Sequence, residues 1–429
     1  MRVLVVGQGG REHAIVRALA RSVDPPELLA APGNAGMAAD ARCLNVEAED
    51  VEAIVAASAA ESVDLVVVGP EAPLVAGIVD ALEAAGIAAF GPSAEAARIE
   101  GSKVHAKELM EEAGVPTASH VVLRDRDEAL AHLSCASYPA VLKADGLAAG
   151  KGVLICADER AARAAVDVFF VERRFGETAV VLEEHLAGEE LSLLALCDGE
   201  NVLALAPARD YKRIGEGDRG SNTGGMGSYS PVPGFDPVRT AQLVDEVHRP
   251  IVELMRRRGT PYRGVLYAGL MITAAGARVL EFNCRFGDPE TQAVLPRLRS
   301  DLLDLLQASR QPGGLAGAEL EVVDEWAVTV VLASAGYPES SSKGDAISGV
   351  EGAAALPGVE ITHAGTAMRD GELVTAGGRV LNVTGLGATA EEARQQAYEA
   401  VERISFDGMQ FRRDIASTGV EETVATDRR

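Results

Sequence analysis

The sequence predicts a multidomain chain of α/β and α+β character. It has an N-terminal parallel-sheet domain, a larger central core with an inserted lid, and a small C-terminal α+β domain. Three observations predict this. The 429 residues exceed one ordinary domain. The first hundred residues alternate short buried apolar runs with helical periodicity, the signature of βαβ units. Beyond about residue 100 that alternation gives way to paired β-rich runs around glycine-rich loops. The boundaries are placed at 1–102, at 103–325 with the lid at about 121–187, and at 326–418. A polar tail at 419–429 is expected to be disordered.

In the first domain, Val3–Val6, Glu27–Ala31, Leu65–Val68 and Ile87–Phe90 are predicted strands. Glu12–Ala20, Val51–Ala60 and Val75–Ala85 are predicted helices. The loops Gly7-Gln8-Gly9-Gly10, Pro32-Gly33-Asn34-Ala35-Gly36 and Gly69-Pro70-Glu71 then lie at the carboxyl ends of strands, where ligands bind in this architecture. Backbone N–H groups ahead of a helix favour an anion. The first loop is not a dinucleotide fingerprint. The third glycine position is Glu12, and no acidic residue ends the second strand to hold a ribose.

The second domain opens on a helix at Ser102–Ala113, closed by Gly114 and Pro116, which carries Lys103 and Lys107 on one face. Lys107 is expected on a solvated face. Residues 121–187 read as strand, helix, strand, strand, helix, strand. At their centre Gly146, Gly150 and Gly152 form a loop flanked by Lys143 and Lys151. Flexible backbone N–H groups with a lysine at each end suit a polyphosphate, and no Walker motif is present. Val180–Leu186, containing Glu183, Glu184 and His185, leads to a hinge with Glu189 and Glu190. His185 alone reads as packing.

Two further segments follow. One runs from Asp210-Tyr211-Lys212-Arg213 through Asn222-Thr223-Gly224-Gly225-Met226-Gly227. The other is the strand Val279–Phe286, breaking at Gly287-Asp288-Pro289. Strand alternation puts Glu281, Asn283 and Arg285 on one face and Leu280, Phe282, Cys284 and Phe286 on the other. Carboxylate plus amide oxygen suits a hard cation that takes its remaining ligands from phosphate. Read alone, the stretch is equally a half-exposed strand with a surface ion pair.

Composition narrows the classes. A net charge of −24 argues against nucleic-acid and anionic-membrane partners. No apolar run reaches membrane-span length, and the N-terminus reads as a strand rather than a signal peptide. The five scattered cysteines read as reduced core thiols of a cytoplasmic protein. Only six basic residues are lysines: Lys103, Lys107, Lys143, Lys151, Lys212 and Lys343. Against a background of arginine, lysines at motif positions point to sites that need a compact ammonium.

The order of a helix lysine, a lysine before a glycine hairpin, a Glu-Glu-x-Leu hinge and Glu281-x-Asn283 resembles the ATP-grasp superfamily. Five segments together resemble the phosphoribosylamine–glycine ligase family: Gly9 to His13, Pro32 to Gly36, Lys143 to Gly152, Asn222 to Gly227 and Glu281 to Glu290. The resemblance spans residues 1 to about 415. It implies ligation of glycine to 5-phosphoribosylamine through glycyl phosphate, with ATP as substrate and Mg²⁺ or Mn²⁺ as cofactor. It implies ATP contacts from Lys103, Lys143, Gly146, Gly150, Lys151, Gly152, Glu183, Glu184, Leu186 and Glu190, and metal ligation by Glu281 and Asn283. Substrate contacts fall to Gly9, Gly10, Arg11, Gly33, Asn34, Pro70, Glu71, Asp210 and Lys212. Arg285, Asn222 and Gly225 fall at the reacting centre. The chain is expected to act as a monomer or weak homodimer. Two departures stand out. Tyr211 occupies a position where the family usually has His, and Tyr267-Ala268-Gly269-Leu270-Met271 lacks a second metal-binding glutamate. A ligase acting on another purine intermediate and a nucleotide sensor without turnover are the competing readings. Glycine-dependent ADP release separates them.

Overall fold

The computed structural model describes residues 1–148 and 152–417. Gly150, Lys151 and the predicted tail lie outside the described residues. The first strands are β1 (Arg2–Gly7), β2 (Glu27–Pro32), β3 (Arg42–Cys43), β4 (Leu65–Val68) and β5 (Ala88–Phe90). They form a parallel sheet in the order β3-β2-β1-β4-β5. Val3–Val6 and Leu65–Val67 are fully buried, as continuous apolar runs covered on both faces must be. The chain reverses direction across the sheet at β1/β4. The loops after those two strands therefore flank the crevice of the switch point. The helices are α1 (Gly10–Ala20), α2 (Val51–Ala60), α3 (Glu71–Val75), α4 (Ile78–Ala84) and α5 (Ala94–Gly101). The single helix expected at 75–85 is instead two, because Gly77 takes a left-handed φ of +90° between them.

Helix α6 (Lys103–Ala113) is capped by Ser102, whose hydroxyl accepts from His105 N, and closed by left-handed Gly114. The lid comprises β6 (His120–Leu123), α7 (Arg126–Leu133), β7 (Ala140–Ala144), β8 (Val153–Cys156), α8 (Glu159–Phe170) and β9 (Val180–Glu184). Its strands pair in the order β6-β9-β7-β8. It has a hydrophobic core of its own, including Leu123, Leu142, Val166, Phe169 and Leu182.

The central strands are β10 (Glu189–Asp198), β11 (Val202–Ala204), β12 (Arg209–Asp210), β13 (Arg213–Gly215), β14 (Arg219–Asn222), β15 (Gly227–Ser230), β16 (Arg263–Thr273) and β17 (Gly276–Asn283). The helices α9 (Pro237–Leu243), α10 (Arg249–Arg257), α11 (Glu290–Val294) and α12 (Leu302–Ser309) pack around them. One antiparallel sheet runs β11-β10-β16-β17. The C-terminal part holds β18 (Trp326–Ala333), α13 (Val350–Ala354), β19 (Val359–His363), β20 (Thr366–Arg369), β21 (Glu372–Thr375), β22 (Arg379–Gly387) and α14 (Ala390–Val401). Its sheet is β12-β15-β18-β22-β19, so two strands from residues 209–230 join three from beyond 325. A boundary at 325 therefore cuts through a shared sheet. Among the described residues no helix is long and apolar enough to cross a membrane.

The cysteine expectation holds for Cys156, Cys197 and Cys284, which are buried. Cys43 and Cys135 are exposed, and all five are free thiols.

Candidate functional site

The strand that carries Glu281 does not alternate as simple pairing predicts. Gly269 pairs with Glu281 but Leu270 pairs with Val279, so Leu280 is the extra residue of a bulge. The bulge shifts the phase. Val279 and Phe282 both reach the core, while Leu280 is only half-buried and does not belong to the apolar face predicted for it. The carbonyl of this extra residue, Leu280 O, accepts from Lys143 Nζ at 3.0 Å. The strand ends at Asn283 rather than continuing to Phe286. Cys284 and Phe286 are buried as expected.

Three of the six lysines surround Glu281 on this strand. Burial alone would raise the Glu281 carboxyl, but Lys212, Lys143, Lys103 and Arg285 around it hold it below its ordinary value. Lys103 Nζ also donates to Gly146 O at 2.9 Å, which ties α6 to the glycine loop of the lid. Asp145 reinforces that tie by accepting from Ser102 Oγ and Val104 N. Burial lowers the Lys103 ammonium despite nearby Glu281. Lys212 Nζ lies 2.9 Å from Glu190 Oε2. Burial pushes Asp210 up to about 7 against the pull of Lys212.

Several expected roles change. Lys107 is 2% exposed rather than solvated. Its Nζ donates to Thr117 Oγ1 at 2.8 Å and lies 3.0 Å from Glu183 Oε1, an ion pair without hydrogen-bond alignment. Glu183 Oε2 lies 2.9 Å from Lys143 Nζ. The Glu183 side chain is thus spent on two ammoniums and is not presented to a nucleotide, whereas Glu184 is exposed and accepts from Ser119 N. Leu186 is half-buried beside it. His185 is exposed, so it does not pack.

Arg285, expected on a substrate anion, is already ion-paired with Glu71 at 3.2 Å and Glu100 at 3.3 Å, and donates to Asn283 Oδ1 at 3.3 Å. It bridges the central sheet to the N-terminal domain. Burial would raise Glu71, but Arg285 and Arg11 hold it at about 2.

The N-terminal loops converge on Glu12. Gly9 N donates to Glu12 Oε2 at 2.7 Å, and a Cβ on Gly69 would lie 2.1 Å from Glu12 Oε1. Arg11 pairs with the same carboxylate and donates to Phe286 O. Gly33 takes a left-handed φ of +72°. The Asn34 side-chain amide donates to Gln8 O and His363 O and accepts from Gly36 N and Met37 N, so it stitches the loops together. Pro70 sits at the N-terminal boundary of α3, and Gly10 abuts Asn382 of the C-terminal part.

The segment from Asn222 to Gly227 is gripped from that same part. Gly224 N donates to Tyr337 Oη, Gly224 O accepts from Arg379, and Arg379 also pairs with Asp288 at 2.9 Å. Gly225 takes φ +110° against Pro289. Sequence reasoning did not find Glu12, Glu100, Ser192, Tyr267, Glu290 or Arg379. Tyr267 Oη donates to Glu290 Oε1 at 2.6 Å with Ser192 beside them. Glu12 and Glu290 lie inside segments that carry the family resemblance, but the partners of Glu290, Ser192 and Tyr267, are distant in sequence.

Models of the phosphoribosylglycinamide synthetase N domain, ATP-grasp (A) domain and C domain match residues 1–100, 101–291 and 327–418. The chain belongs to the phosphoribosylglycinamide synthetase family. Its relatives include the phosphoribosylamine–glycine ligase of Streptomyces coelicolor, 52% identical over 97% of this chain and 99% of that one. That of Caldanaerobacter subterraneus is 46% identical over 97% and 100%. The crystal structure of the Thermotoga maritima ligase superposes with a TM-score of 0.83 at 37% identity, covering 97% of this chain and all of that one. The biotin carboxylase domain of Hydrogenobacter thermophilus 2-oxoglutarate carboxylase, solved with MgADP and bicarbonate, shares the fold at TM-score 0.70 and 18% identity over 96% and 91%. The architecture is that of an ATP-dependent ligase of three family domains, built on an ATP-grasp core.

A divalent cation accompanies ATP in ATP-grasp enzymes. Glu281, held ionised, and the Asn283 amide oxygen are oxygen donors of the kind such an ion takes. Among the described residues no group of three or more acidic, His or Cys side chains forms a cage. Two oxygen donors of this kind fit an ion that takes its other ligands from substrate phosphates.

Proposed function

We propose that the chain joins glycine to 5-phosphoribosylamine, with ATP converted to ADP and phosphate, in purine biosynthesis. The observation that carries this reading is the convergence of Lys103, Lys143 and Lys212 on Glu281 beside Asn283. The glycine carboxylate attacks the γ-phosphorus and the γ-phosphoryl group passes to it, giving glycyl phosphate and ADP. The amine of phosphoribosylamine then attacks the acyl carbon and phosphate departs. No covalent bond to the protein forms, so the chain contributes positioning and charge neutralisation.

Lys103 and Lys143 hold the phosphates under the glycine loop, and Glu184, Leu186 and Glu190 border the adenosine. Glu281 and Asn283 would hold Mg²⁺, or Mn²⁺, which would supply positive charge to the phosphate oxygens. Lys212, with Asp210 at its side, neutralises charge that develops at the acyl phosphate. Asn222 and Gly225 lie on the segment clamped by Tyr337 and Arg379, which places it against the Asp288-Pro289 turn. Gly9, Gly10, Arg11, Gly33, Pro70 and Glu71 form the switch-point crevice proposed for the phosphoribosyl group. The test is ADP release with Mg²⁺ and ATP. The reading requires dependence on both glycine and phosphoribosylamine, and glycine-independent turnover would refute it.

A further inference from the structure

Lys107 has no place in the scheme above, yet it is one of six lysines and is buried. We propose that Lys107 is a positioning residue: it shares the Glu183 carboxylate with Lys143 and so keeps Lys143 available to the ATP phosphates. This rests on the reading of Lys143 as a phosphate ligand.

The geometry supports it in three ways. First, one buried carboxylate stands between two buried ammoniums, at 3.0 Å from Lys107 and 2.9 Å from Lys143. A carboxylate divided between two cations neutralises neither fully, so the trio keeps a net positive charge for an incoming anion. Second, the Lys143 ammonium has three N–H donors. Leu280 O takes one of them, and Glu183 Oε2 stands 2.9 Å away as an ion-pair partner, so donors remain for a phosphate oxygen. Without Lys107, both Glu183 oxygens would turn to Lys143 and claim those donors, because a buried carboxylate left with half its compensation draws on the charge that remains.

Third, the trio is anchored at the bulge. Lys107 donates to Thr117 Oγ1, Thr117 Oγ1 donates to Val279 O at 2.7 Å, and Lys143 donates to Leu280 O. The two carbonyls flank the irregular step in β17, immediately before Glu281. Lys143 and Glu183 lie on the lid strands β7 and β9, and Lys107 lies on α6 one turn beyond Lys103. The trio therefore fixes the lid strands at a set height over the strand that carries Glu281 and Asn283.

The test compares wild type with Lys107→Met, Lys107→Arg, Thr117→Val and Lys107→Met/Glu183→Gln. Steady-state kinetics are measured for each substrate, and MgATP binding by calorimetry. Lys107→Met is expected to raise the KM and Kd for ATP about tenfold, the size of effect seen when the group orienting a ligating side chain is removed. The KM for glycine should stay unchanged. Lys107→Arg should restore part of the affinity. Thr117→Val should give a smaller rise in the same direction, which keeps the test open where the Met variant does not fold. The double variant should bind ATP better than Lys107→Met, because neutralising Glu183 removes the competitor for Lys143.

Unchanged ATP affinity in Lys107→Met would overturn the proposal. So would an equal rise in every KM, or losses that simply add in the double variant. Failure of the ligase reading is separate. It would show as wild-type turnover without glycine dependence, while calorimetry would still report on Lys107.

Discussion

Replacing Arg285 by Met tests what this residue does when no substrate is present. The guanidinium stands between Glu71 and Glu100 at 3.2 and 3.3 Å. Glu71 falls from its ordinary 4.5 to about 2. That shift is equivalent to about 3 kcal/mol at neutral pH. Arg11, 4.0 Å from Glu71, keeps a share, and the Glu71 side chain is 29% exposed. After that discount the Arg285 contribution is about 2 kcal/mol. Burial pushes Glu100 up, so it can take a proton when its partner is lost and limit the further cost.

The sign follows from the direction of the Glu71 shift. Its folded pKa lies below its unfolded one, so the stabilisation is complete above 4.5 and is lost as pH falls toward 2. Urea denaturation at pH 7 should show Arg285→Met less stable by about 2 kcal/mol, and the gap should shrink by about 1 kcal/mol near pH 3.5. A gap of the same size at both pH values, or none at pH 7, would refute the electrostatic account of this bridge.

Three other outcomes are expected. Gly225→Ala forces a side chain into φ +110° with its Cβ 2.3 Å from Pro289 Cδ. Strain of about 2 kcal/mol should lower kcat at least tenfold while the far-UV spectrum is unchanged. Arg379→Met releases both Gly224 O and Asp288. It should reduce kcat about tenfold with little change in the KM for ATP, read from initial rates across an ATP series. Removing divalent ions with EDTA should abolish ADP formation, and adding Mg²⁺ should restore it. Activity retained in EDTA would exclude Glu281 and Asn283 as an ion site.

Most of the architecture was legible because its signals are local. Val3–Val6 and Leu65–Val68 are continuous apolar runs, and the six-element lid was readable from its alternating pattern and its central glycines. The shared sheet was not legible. Nothing in Gly227–Ser230 states that its partner is Trp326–Ala333, nearly a hundred residues later. The two-residue strand Arg42–Cys43 is too short to show a period.

At the site, the residue types named a neighbourhood but not the pairings within it. Alternation placed Glu281 and Asn283 on one face, but one extra residue at Leu280 changes which groups face the core. Lys107 read as solvated because helix spacing shows only that it shares a face with Lys103. Its burial comes from Glu183, 76 positions away, whose own side chain it occupies. Arg285 read as substrate-directed because Glu71 and Glu100 are distant in sequence.

ADP formation by Glu281→Gln at saturating glycine and phosphoribosylamine tests the ion site most directly. The substitution keeps the shape of the side chain and removes the one carboxylate on which Lys103, Lys143 and Lys212 converge. kcat/KM for ATP is expected to fall about 10³-fold or more, with a native far-UV spectrum. Activity within about tenfold of wild type would move the ion site elsewhere.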